Sequence, residues 1–185
     1  MYQTNAADAA GRTAADAPAS LASASLAPAT AETADLGDSR LVIESRFGTI
    51  AVAPNSSIEF PRGLLGFAEL HRYALADLAD PRLPQFMVLQ CLDDHELAFL
   101  AMPLEPDSGV IARPDLDAAC AALSIAAADV AILLVVTVHR SDDGFVVSAN
   151  LRAPLLIDSA SRIGFQHVLP NDNYPVRFPI TEGST

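Results

Sequence analysis

From Leu41 onward, the chain consists of short apolar runs that are separated by Gly, Pro, Asn and Asp residues. Runs of this length, rich in Val, Ile and Leu and bounded by turn-forming residues, are typical of the strands of a compact antiparallel β domain. At 185 residues the chain is long enough for one domain with a substantial core, and it is short for two. The pattern therefore predicts one mainly β domain over residues 40–185.

Several of these runs are spaced as β hairpins, because two apolar segments flank a short polar or glycine-containing turn. The clearest turn contains Asp143 and Gly144, since Asp-Gly supplies the positive φ angles that a tight hairpin needs. The predicted strands are 41–44 and 49–52, 86–91 and 97–102, 130–139 and 145–148, and two short segments at 155–157 and 166–169.

One segment departs from the β pattern and predicts a helix over residues 115–123. Pro114 suits a first helical position, and Asp115 and Asp117 complement the positive end of the helix dipole. Four apolar residues recur at helical spacing, namely Leu116, Ala119, Cys120 and Leu123. Cys120 is therefore expected on the buried face. With many strands and one helix, the economical architecture is a small antiparallel β barrel, closed or nearly closed, with the helix packed at one end.

The first 39 residues have a different composition, dominated by Ala, Ser, Thr, Asp and Pro. Such a segment cannot bury enough apolar surface to offset the entropy lost when it becomes ordered. Gly11, Pro18 and Pro28 interrupt any helix that the alanines favour. We therefore expect residues 1–39 to form a disordered tail.

The charge balance of the chain bears on the partners that it can bind. It has 23 acidic and 11 basic residues, and all of the basic residues are arginine, which gives a net charge of -12. Such a surface repels nucleic-acid phosphates and anionic lipid headgroups and favours encounter with a basic protein, although acidity also serves solubility alone. Direct binding to nucleic acid or to a membrane is therefore not expected.

Three features of the sequence indicate a cytoplasmic protein. No apolar run is long enough to cross a bilayer, and the N-terminus lacks the basic region and Leu-rich stretch of a secretory signal. The two cysteines, Cys91 and Cys120, have neither a metal-type spacing nor the pattern of a disulfide framework. This cysteine usage fits a reducing compartment.

The sequence contains no constellation that is typical of an enzyme. Neither a GxSxG elbow nor a phosphate-binding glycine loop occurs. Cys91 and His95 are four residues apart, but they are predicted to lie at a strand end and in a loop, so their spacing does not set a catalytic geometry. Asp93, Asp94 and Glu96 lack the calcium-loop pattern and fit a solvated hairpin end better than a metal site. We expect no enzymatic activity and no cofactor.

Three stiff loop segments contain most of the residues that we predict to bind a partner. FPRGLLGF (60–67) combines a proline and two glycines with apolar side chains, and it is either a buried corner of the barrel or a recognition loop. NLRAP (150–154) offers Arg152 as a donor to a carboxylate or carbonyl, and NDNYP (171–175) is a polar turn that presents Tyr174. Together with the acidic hairpin end, the candidates are Phe60, Pro61, Gly63, Leu64, Leu65, Gly66, Phe67, Asp93, Asp94, Glu96, Asn150, Arg152, Pro154, Asn171, Asp172 and Tyr174.

These segments, in this order, resemble the FliW family of flagellar assembly factors. The likeness extends from about Leu41 to Ile180 and leaves out the N-terminal tail. It is carried by the segments FGTIAV, IEFPRGLLGF, FMVLQCLDDHELAFL, DVAILLVVTVHR, SANLRAPLLID and HVLPNDNYPVR. FPxGxxGF followed by LQ, LAF and NLxAP is a specific combination, although each piece alone is weak.

The resemblance implies a small β-barrel-like fold without enzymatic activity. Family members bind the carbon storage regulator CsrA, a basic RNA-binding dimer, and thereby relieve its repression of flagellin translation. They also bind flagellin, so that secretion of flagellin frees the factor to bind CsrA. The resemblance thus predicts CsrA and flagellin as partners, and we expect the free protein to be a monomer.

The acidic and apolar candidates are expected to play different parts in such an interface. Asp93, Asp94 and Glu96 are predicted to steer the encounter with a basic partner. Part of the affinity is predicted to come from the apolar loop positions Leu64, Leu65 and Phe67.

Three alternatives to this interpretation remain open. The NLRAP motif, with Asn150 and Arg152, is either part of a contact surface or an internal brace. The domain as a whole is alternatively a generic structural or oligomerisation domain that pairs through exposed strand edges. An enzyme that uses the region of Cys91 and His95 is the third alternative.

Overall fold

The computed structural model describes residues 41–53, 56–78, 80, 83–141 and 144–180. The predicted disordered tail, residues 1–39, lies outside the described residues. Within them the strands are β1 (Leu41–Ser45), β2 (Gly48–Val52), β3 (Ser57–Glu59), β4 (Arg72–Asp77), β5 (Met87–Cys91), β6 (Ala98–Pro103), β7 (Val130–Ser141), β8 (Gly144–Ala149), β9 (Leu155–Asp158), β10 (Ile163–Gln166) and β11 (Phe178–Pro179). The helix of the described residues is α1 (Arg113–Leu123).

Seven of the strands close into a barrel. Hydrogen-bonded neighbours follow the order β7, β6, β5, β4, β3, β10 and β9, and β9 pairs with β7 to complete the ring. The ladders of the ring are antiparallel except at the junction of β3 and β10, where Glu59 and Ile163 form a parallel contact. The predicted small antiparallel barrel is confirmed, with one parallel junction that the sequence pattern did not indicate.

Strand β7 is long because it belongs both to the barrel and to an extension of it. Val130–Leu133 pairs with β9 on one edge, and Leu133–Val136 pairs with β6 on the other edge. Val136–Ser141 then pairs with β8, and β11 adds two residues to the far edge of β8. We call residues 137–141 of β7, together with β8 and β11, the ribbon.

The barrel interior is a continuous apolar core. Successive side chains of a strand point to opposite faces, so every second side chain of each strand points into the barrel. Residues that are paired between neighbouring strands point to the same side. Tyr73 is paired with Cys91, for example, and Leu89 with Phe99. Burying one such aliphatic or aromatic side chain stabilises the fold by roughly 1.5–3 kcal/mol. The most buried members of this core are Ile58, Phe60, Leu64, Tyr73, Leu89, Cys91, Ala101, Leu133, Leu155 and Ile157.

Helix α1 covers part of the outer face of the barrel. Its buried residues Leu116 and Ala119 belong to a cluster with strand residues such as Met102 and Leu134. The helix begins two residues before the predicted start and ends at the predicted Leu123, and the predicted burial of its cysteine is confirmed. No helix in the described part of the chain is both long and apolar enough to span a membrane.

The β1–β2 hairpin covers a second part of the outer face. Ile43 and Ile50 point inward from it and pack on Ala74 and Val88 of the barrel strands. Residues Arg46 and Phe47 form its turn, as the sequence predicted.

The predicted strands differ from the structure in three missed strands, namely β3, β4 and the two-residue β11, and in one displaced strand, β10. The pairings of β1 with β2, β5 with β6 and β7 with β8 are confirmed. Strand β3 was missed because it has only three residues. Strand β4 was missed because its sequence, RYALAD, contains no run of β-branched residues. The strand predicted at 166–169 lies instead at Ile163–Gln166. Beyond Gln166, the amides of His167 and Leu169 donate to the carbonyls of Pro154 and Arg152, which precede β9 and belong to no strand.

Candidate partner-binding surface

The FPRGLLGF segment forms a loop that closes one end of the barrel. The loop consists of successive turns, in which the Gly63 amide donates to the Phe60 carbonyl and the Phe67 amide to the Leu64 carbonyl, each at 2.8 Å. The Phe60 amide donates to the carbonyl of His71 at 2.7 Å, which fixes the start of the loop to its end. We call this end of the barrel, formed by residues 59–72 and 91–99, the barrel mouth.

The apolar side chains of the loop divide between the core and the surface. Phe60 is 0% exposed and packs edge-to-face on Tyr73, with 5.4 Å between the ring centroids, and Leu64 is buried beside it. Leu65 is 59% exposed and Phe67 is 37% exposed. The loop is therefore a buried corner at two of its apolar residues and a free surface at the other two. The buried position of Leu64 corrects the expectation that its side chain contacts a partner.

Gly63 is the residue that allows the loop to fold back on itself. Its φ angle is +60°, and a Cβ atom at this position would lie 2.3 Å from the carbonyl oxygen of Phe67. Gly66 also has a positive φ angle, of +88°, but a Cβ atom there would meet open space. Only Gly63 is thus required for both its conformation and its lack of a side chain.

Asp93 braces the barrel mouth and is not a free surface charge. Its Oδ2 atom accepts hydrogen bonds from the amides of His71 and Arg72, both at 2.9 Å. Its Oδ1 atom accepts a hydrogen bond from Nε of Arg72 at 2.7 Å. The Arg72 guanidinium compensates the Asp93 charge, so the predicted steering of a basic partner falls mainly to Asp94 and Glu96, which form no ion pair with another described residue.

The stability of the protein is expected to depend on pH through Asp93. Burial raises the pKa of the Asp93 carboxyl, but the amides of Arg72 and His71 and the Arg72 guanidinium outweigh burial and hold this pKa below its usual value. A carboxyl with a lowered folded-state pKa stabilises the fold above the pKa of the unfolded chain, and that stabilisation is lost as the pH falls through the folded-state pKa. The wild type should therefore lose stability below about pH 4. The Asp93→Asn variant should lose less over the same range.

Urea unfolding of both proteins at neutral and acidic pH measures this difference. The other carboxyl groups are common to the two proteins, so the change in their stability difference reports on Asp93 alone. Parallel pH profiles for Asp93→Asn and the wild type would show that the brace does not act as described.

Four carboxylates remain exposed around the mouth, namely those of Glu59, Glu69, Asp94 and Glu96. None of the four forms an ion pair with another described residue. Glu59 and Glu69 line a shallow depression of about 580 Å³. The other residues that line it are Pro61, His71, Arg72 and Asp93. We call these four carboxylates the acidic rim.

Sequence reasoning missed half of the acidic rim. Asp94 and Glu96 stood out because they adjoin each other in a polar hairpin end, whereas Glu59 and Glu69 lie ten residues apart on either side of the loop. Folding brings them to one depression because the loop starts and ends on the neighbouring strands β3 and β4. A carboxylate flanking each end of FPRGLLGF was the available signal.

The hairpin end at residues 91–97 is held from below by a buried side chain, Gln90. Its Nε2 atom donates to the carbonyls of Cys91, His95 and Leu97 at 2.9, 3.1 and 3.0 Å. The Cys91 thiol points into the barrel core, while His95 is exposed. Among the described residues, no group of three or more His, Cys, Asp or Glu side chains is arranged to hold a metal ion.

The NLRAP and NDNYP segments pack against each other. Arg152 donates from Nη1 to the Asn171 carbonyl at 2.8 Å, and its Nη2 atom lies 2.6 Å from Oδ1 of Asp172. The Asn150 side chain accepts the amide of Ala153 at 3.1 Å. These bonds favour the internal brace among the two interpretations of NLRAP.

Tyr174 does not lie on the surface where the sequence placed it. It is buried, and its hydroxyl donates to Oδ2 of Asp115 at 2.5 Å and accepts the amide of Ala112 at 3.0 Å. The bond to Asp115, together with burial, raises the pKa of the Tyr174 hydroxyl. The predicted surface tyrosine is therefore corrected to one that fastens the NDNYP turn to the start of α1.

The structure thus separates the sixteen candidate residues into two sets. The exposed candidates are Pro61, Leu65, Gly66, Phe67, Asp93, Asp94, Glu96 and Asp172. The buried or half-buried candidates are Phe60, Gly63, Leu64, Asn150, Arg152, Pro154, Asn171 and Tyr174. All exposed candidates except Asp172 belong to the barrel mouth.

Comparison with known proteins identifies the family of the chain. A family model described as FliW protein matches residues 41–180. The flagellar assembly factor FliW of Syntrophus aciditrophicus (strain SB) is 34% identical over 143 residues, which cover 74% of this chain and 84% of the relative. That of Bdellovibrio bacteriovorus is 32% identical over 147 residues, which cover 76% of this chain and 78% of the relative.

A solved structure supports the same assignment. It is described as the crystal structure of the flagellar assembly factor FliW and aligns with a TM-score of 0.60 at 27% sequence identity. The alignment covers 78% of this chain and 100% of that chain. The family match includes the barrel, the loop of the mouth and the ribbon, so this chain belongs to the FliW family.

Proposed function

We propose that this chain is a flagellar assembly factor that acts in the cytoplasm by binding other proteins, and not by catalysis. Its partners are CsrA, whose repression of flagellin synthesis it relieves, and flagellin, which competes for the factor in a partner switch. Family membership and the names of its relatives as flagellar assembly factors support this proposal. The observation that carries it is the barrel mouth, which exposes the apolar side chains of Leu65 and Phe67 together with the carboxylates of the acidic rim.

The mouth has the composition of a protein-binding surface. Leu65 and Phe67 offer exposed apolar area, and the buried half of the same loop holds them in place. The centre of an interface contributes most of the affinity, whereas charges at its edge mainly accelerate the encounter and select the partner. The unpaired carboxylates of the acidic rim suit a basic partner such as CsrA.

Two observations support a function without catalysis. The Cys91 thiol lies inside the barrel core, where a substrate does not reach it. Asp93 and Arg72, the most closely coupled charged pair of the depression, are engaged with each other and with the backbone of the mouth. Binding through the exposed residues of the mouth accounts for the surface better than proton transfer.

Substitution of Leu65 is expected to weaken CsrA binding without unfolding the protein. Leu65→Ser removes an exposed apolar side chain, while the Leu65 amide keeps its 2.8 Å bond to Oε1 of Gln166. Loss of an apolar contact at the centre of an interface costs about tenfold in affinity. Val42→Ser is the matched control, because Val42 is equally exposed on β1 and lies outside the mouth. Calorimetric titration with CsrA from the same genome measures both.

The acidic rim is tested separately, through the rate of association. Glu59→Gln combined with Glu69→Gln should slow CsrA association at low ionic strength and reduce its dependence on salt. A wild-type protein that binds neither CsrA nor flagellin would defeat the proposed function. Wild-type binding that Leu65→Ser leaves unchanged would instead show that the mouth is not the contact surface.

A further inference from the structure

The ribbon contains a strand edge without a partner among the described residues. The ladder between β6 and β7 ends at the pair Leu100–Val136, whereas β7 continues to Ser141. Beyond Val136, β7 pairs with β8 on one side, and no described residue pairs with its other side. We call the backbone of residues 137–141 on this unpaired side the open edge.

Strand alternation identifies the backbone groups that face the open edge. The Val135 carbonyl accepts a hydrogen bond from the amide of Asn150, which follows β8. The Ile132 carbonyl accepts one from the amide of Leu104, which follows β6. The backbone groups of neighbouring residues point to opposite edges of a strand. The backbone amides and carbonyls of the odd-numbered residues from Thr137 onward therefore point toward β8. Those of Val138 and Arg140 point toward the open edge.

The side chains beside the open edge are mostly apolar. Val138 is 48% exposed and is paired with Val147, and Arg140 is paired with Phe145, which is 73% exposed. Natural proteins usually protect an exposed edge with a proline, a bulge or several charges. The described residues of this edge carry no proline and no carboxylate, and the turn at residues 142–143 lies outside the described chain.

The open edge begins next to the barrel mouth. Phe99 is the first residue of β6 beyond the last pair with β7, and its ring packs edge-to-face on Phe67 with 5.4 Å between centroids. A chain that pairs with the open edge therefore enters beside the exposed apolar side chains of the mouth. The open edge and the mouth therefore adjoin each other at Phe99.

We propose that the open edge of β7 binds an extended segment of a partner protein by β-augmentation. The segment adds a strand along β7 and exchanges backbone hydrogen bonds with Val138 and Arg140. It places an apolar side chain against Val138 and Phe145, and a carboxylate beside the Arg140 guanidinium, which is the one charge of the edge. This inference rests on the proposed function and adds a second contact region to the mouth.

Amide hydrogen exchange, followed by NMR, tests the open edge directly. In the free protein the amides of Val138 and Arg140 should exchange fast, while those of Thr137 and His139, which face β8, should be protected. Saturation with CsrA or with flagellin from the same genome should protect Val138 and Arg140. Protection in the free protein at every concentration would mean that the chain's own residues occupy the edge, and it would overturn the inference. Protection that grows with concentration, together with a doubled mass in light scattering, would assign the edge to a second copy and overturn it as well.

Proline at position 138 tests the same edge through affinity. Val138→Pro removes an amide that donates to no described residue, and proline is tolerated where the amide of a strand faces outward. We expect the affinity for at least one of the two partners to fall about tenfold. Val138→Thr keeps the amide and the β-branched shape, and it should change the affinity by less than about threefold.

The outcomes separate the inference from the function on which it rests. Partner binding by the wild type that Val138→Pro leaves unchanged overturns the inference alone. Absence of binding to either partner by the wild type overturns the proposed function and the inference with it. Thermal unfolding of each variant monitors the fold, and if Val138→Pro does not fold, the exchange of the wild-type amides decides.

Discussion

Replacing Phe60 with alanine is expected to lower the free energy of unfolding by about 3–5 kcal/mol. The Phe60 ring is fully buried, packs edge-to-face on Tyr73, and lies so close to Gly164 that a Cβ atom there would be 2.7 Å from it. The surrounding strands belong to a closed ring and cannot collapse into the space that the ring vacates. Denaturant unfolding monitored by circular dichroism measures the loss.

Phe67→Ala is the matched control for this prediction, because it makes the same chemical change seven residues away in the same loop. Phe67 is partly exposed and contacts Phe99 on one side. We expect it to cost less than half as much stability as Phe60→Ala, but to weaken partner binding. Equal losses of stability in the two variants would contradict the division of the loop into a buried and an exposed half.

Gly63→Ala is expected to lower the free energy of unfolding by more than about 2 kcal/mol, from backbone strain and steric overlap together. The added methyl group would be forced against the Phe67 carbonyl and the backbone of Ala68, neither of which is the flexible end of a side chain. The loop must therefore open, and it would release Leu64 from the core. Both chemical unfolding and affinity for the proposed partners report this change.

Gly66→Ala provides the control for Gly63→Ala. Both glycines have positive φ angles, so alanine introduces backbone strain of about 1 kcal/mol at either position. Only at Gly63 does the side chain also meet backbone atoms. A loss of stability at Gly66 as large as that at Gly63 would show that strain alone, and not the close approach of Phe67, makes the loop depend on glycine.

These variants, together with Leu65→Ser, define how the mouth is built. Phe60 and Gly63 set the position of the loop, whereas Leu65 and Phe67 present apolar surface from it. A surface that is fixed before binding loses less conformational entropy when a partner arrives. The stability of the buried half of the loop is therefore part of the binding function that we propose for the exposed half.

The local elements of this fold could be predicted from the sequence because their signals are local. The β1–β2, β5–β6 and β7–β8 hairpins are marked by apolar runs on either side of a short turn. Helix α1 is marked by Pro114 and by apolar residues at helical spacing. The importance of FPRGLLGF was visible for the same reason, since proline and glycine restrict or permit particular backbone angles wherever they occur.

The tertiary structure decided what each candidate residue does. Asp93 is paired with Arg72 from 21 positions away, Tyr174 bonds to Asp115 across 59 positions, and the amide of Leu65 bonds to Gln166 across 101. Sequence periodicity reports which face of its own element a residue occupies, but it does not report what packs on that face. The sequence by itself therefore determined the β class, the hairpins, the helix and the loops of interest. Closure of the barrel alone decided which loop residues are buried, which carboxylates are paired and which strand edge stays open, because these depend on contacts between distant segments.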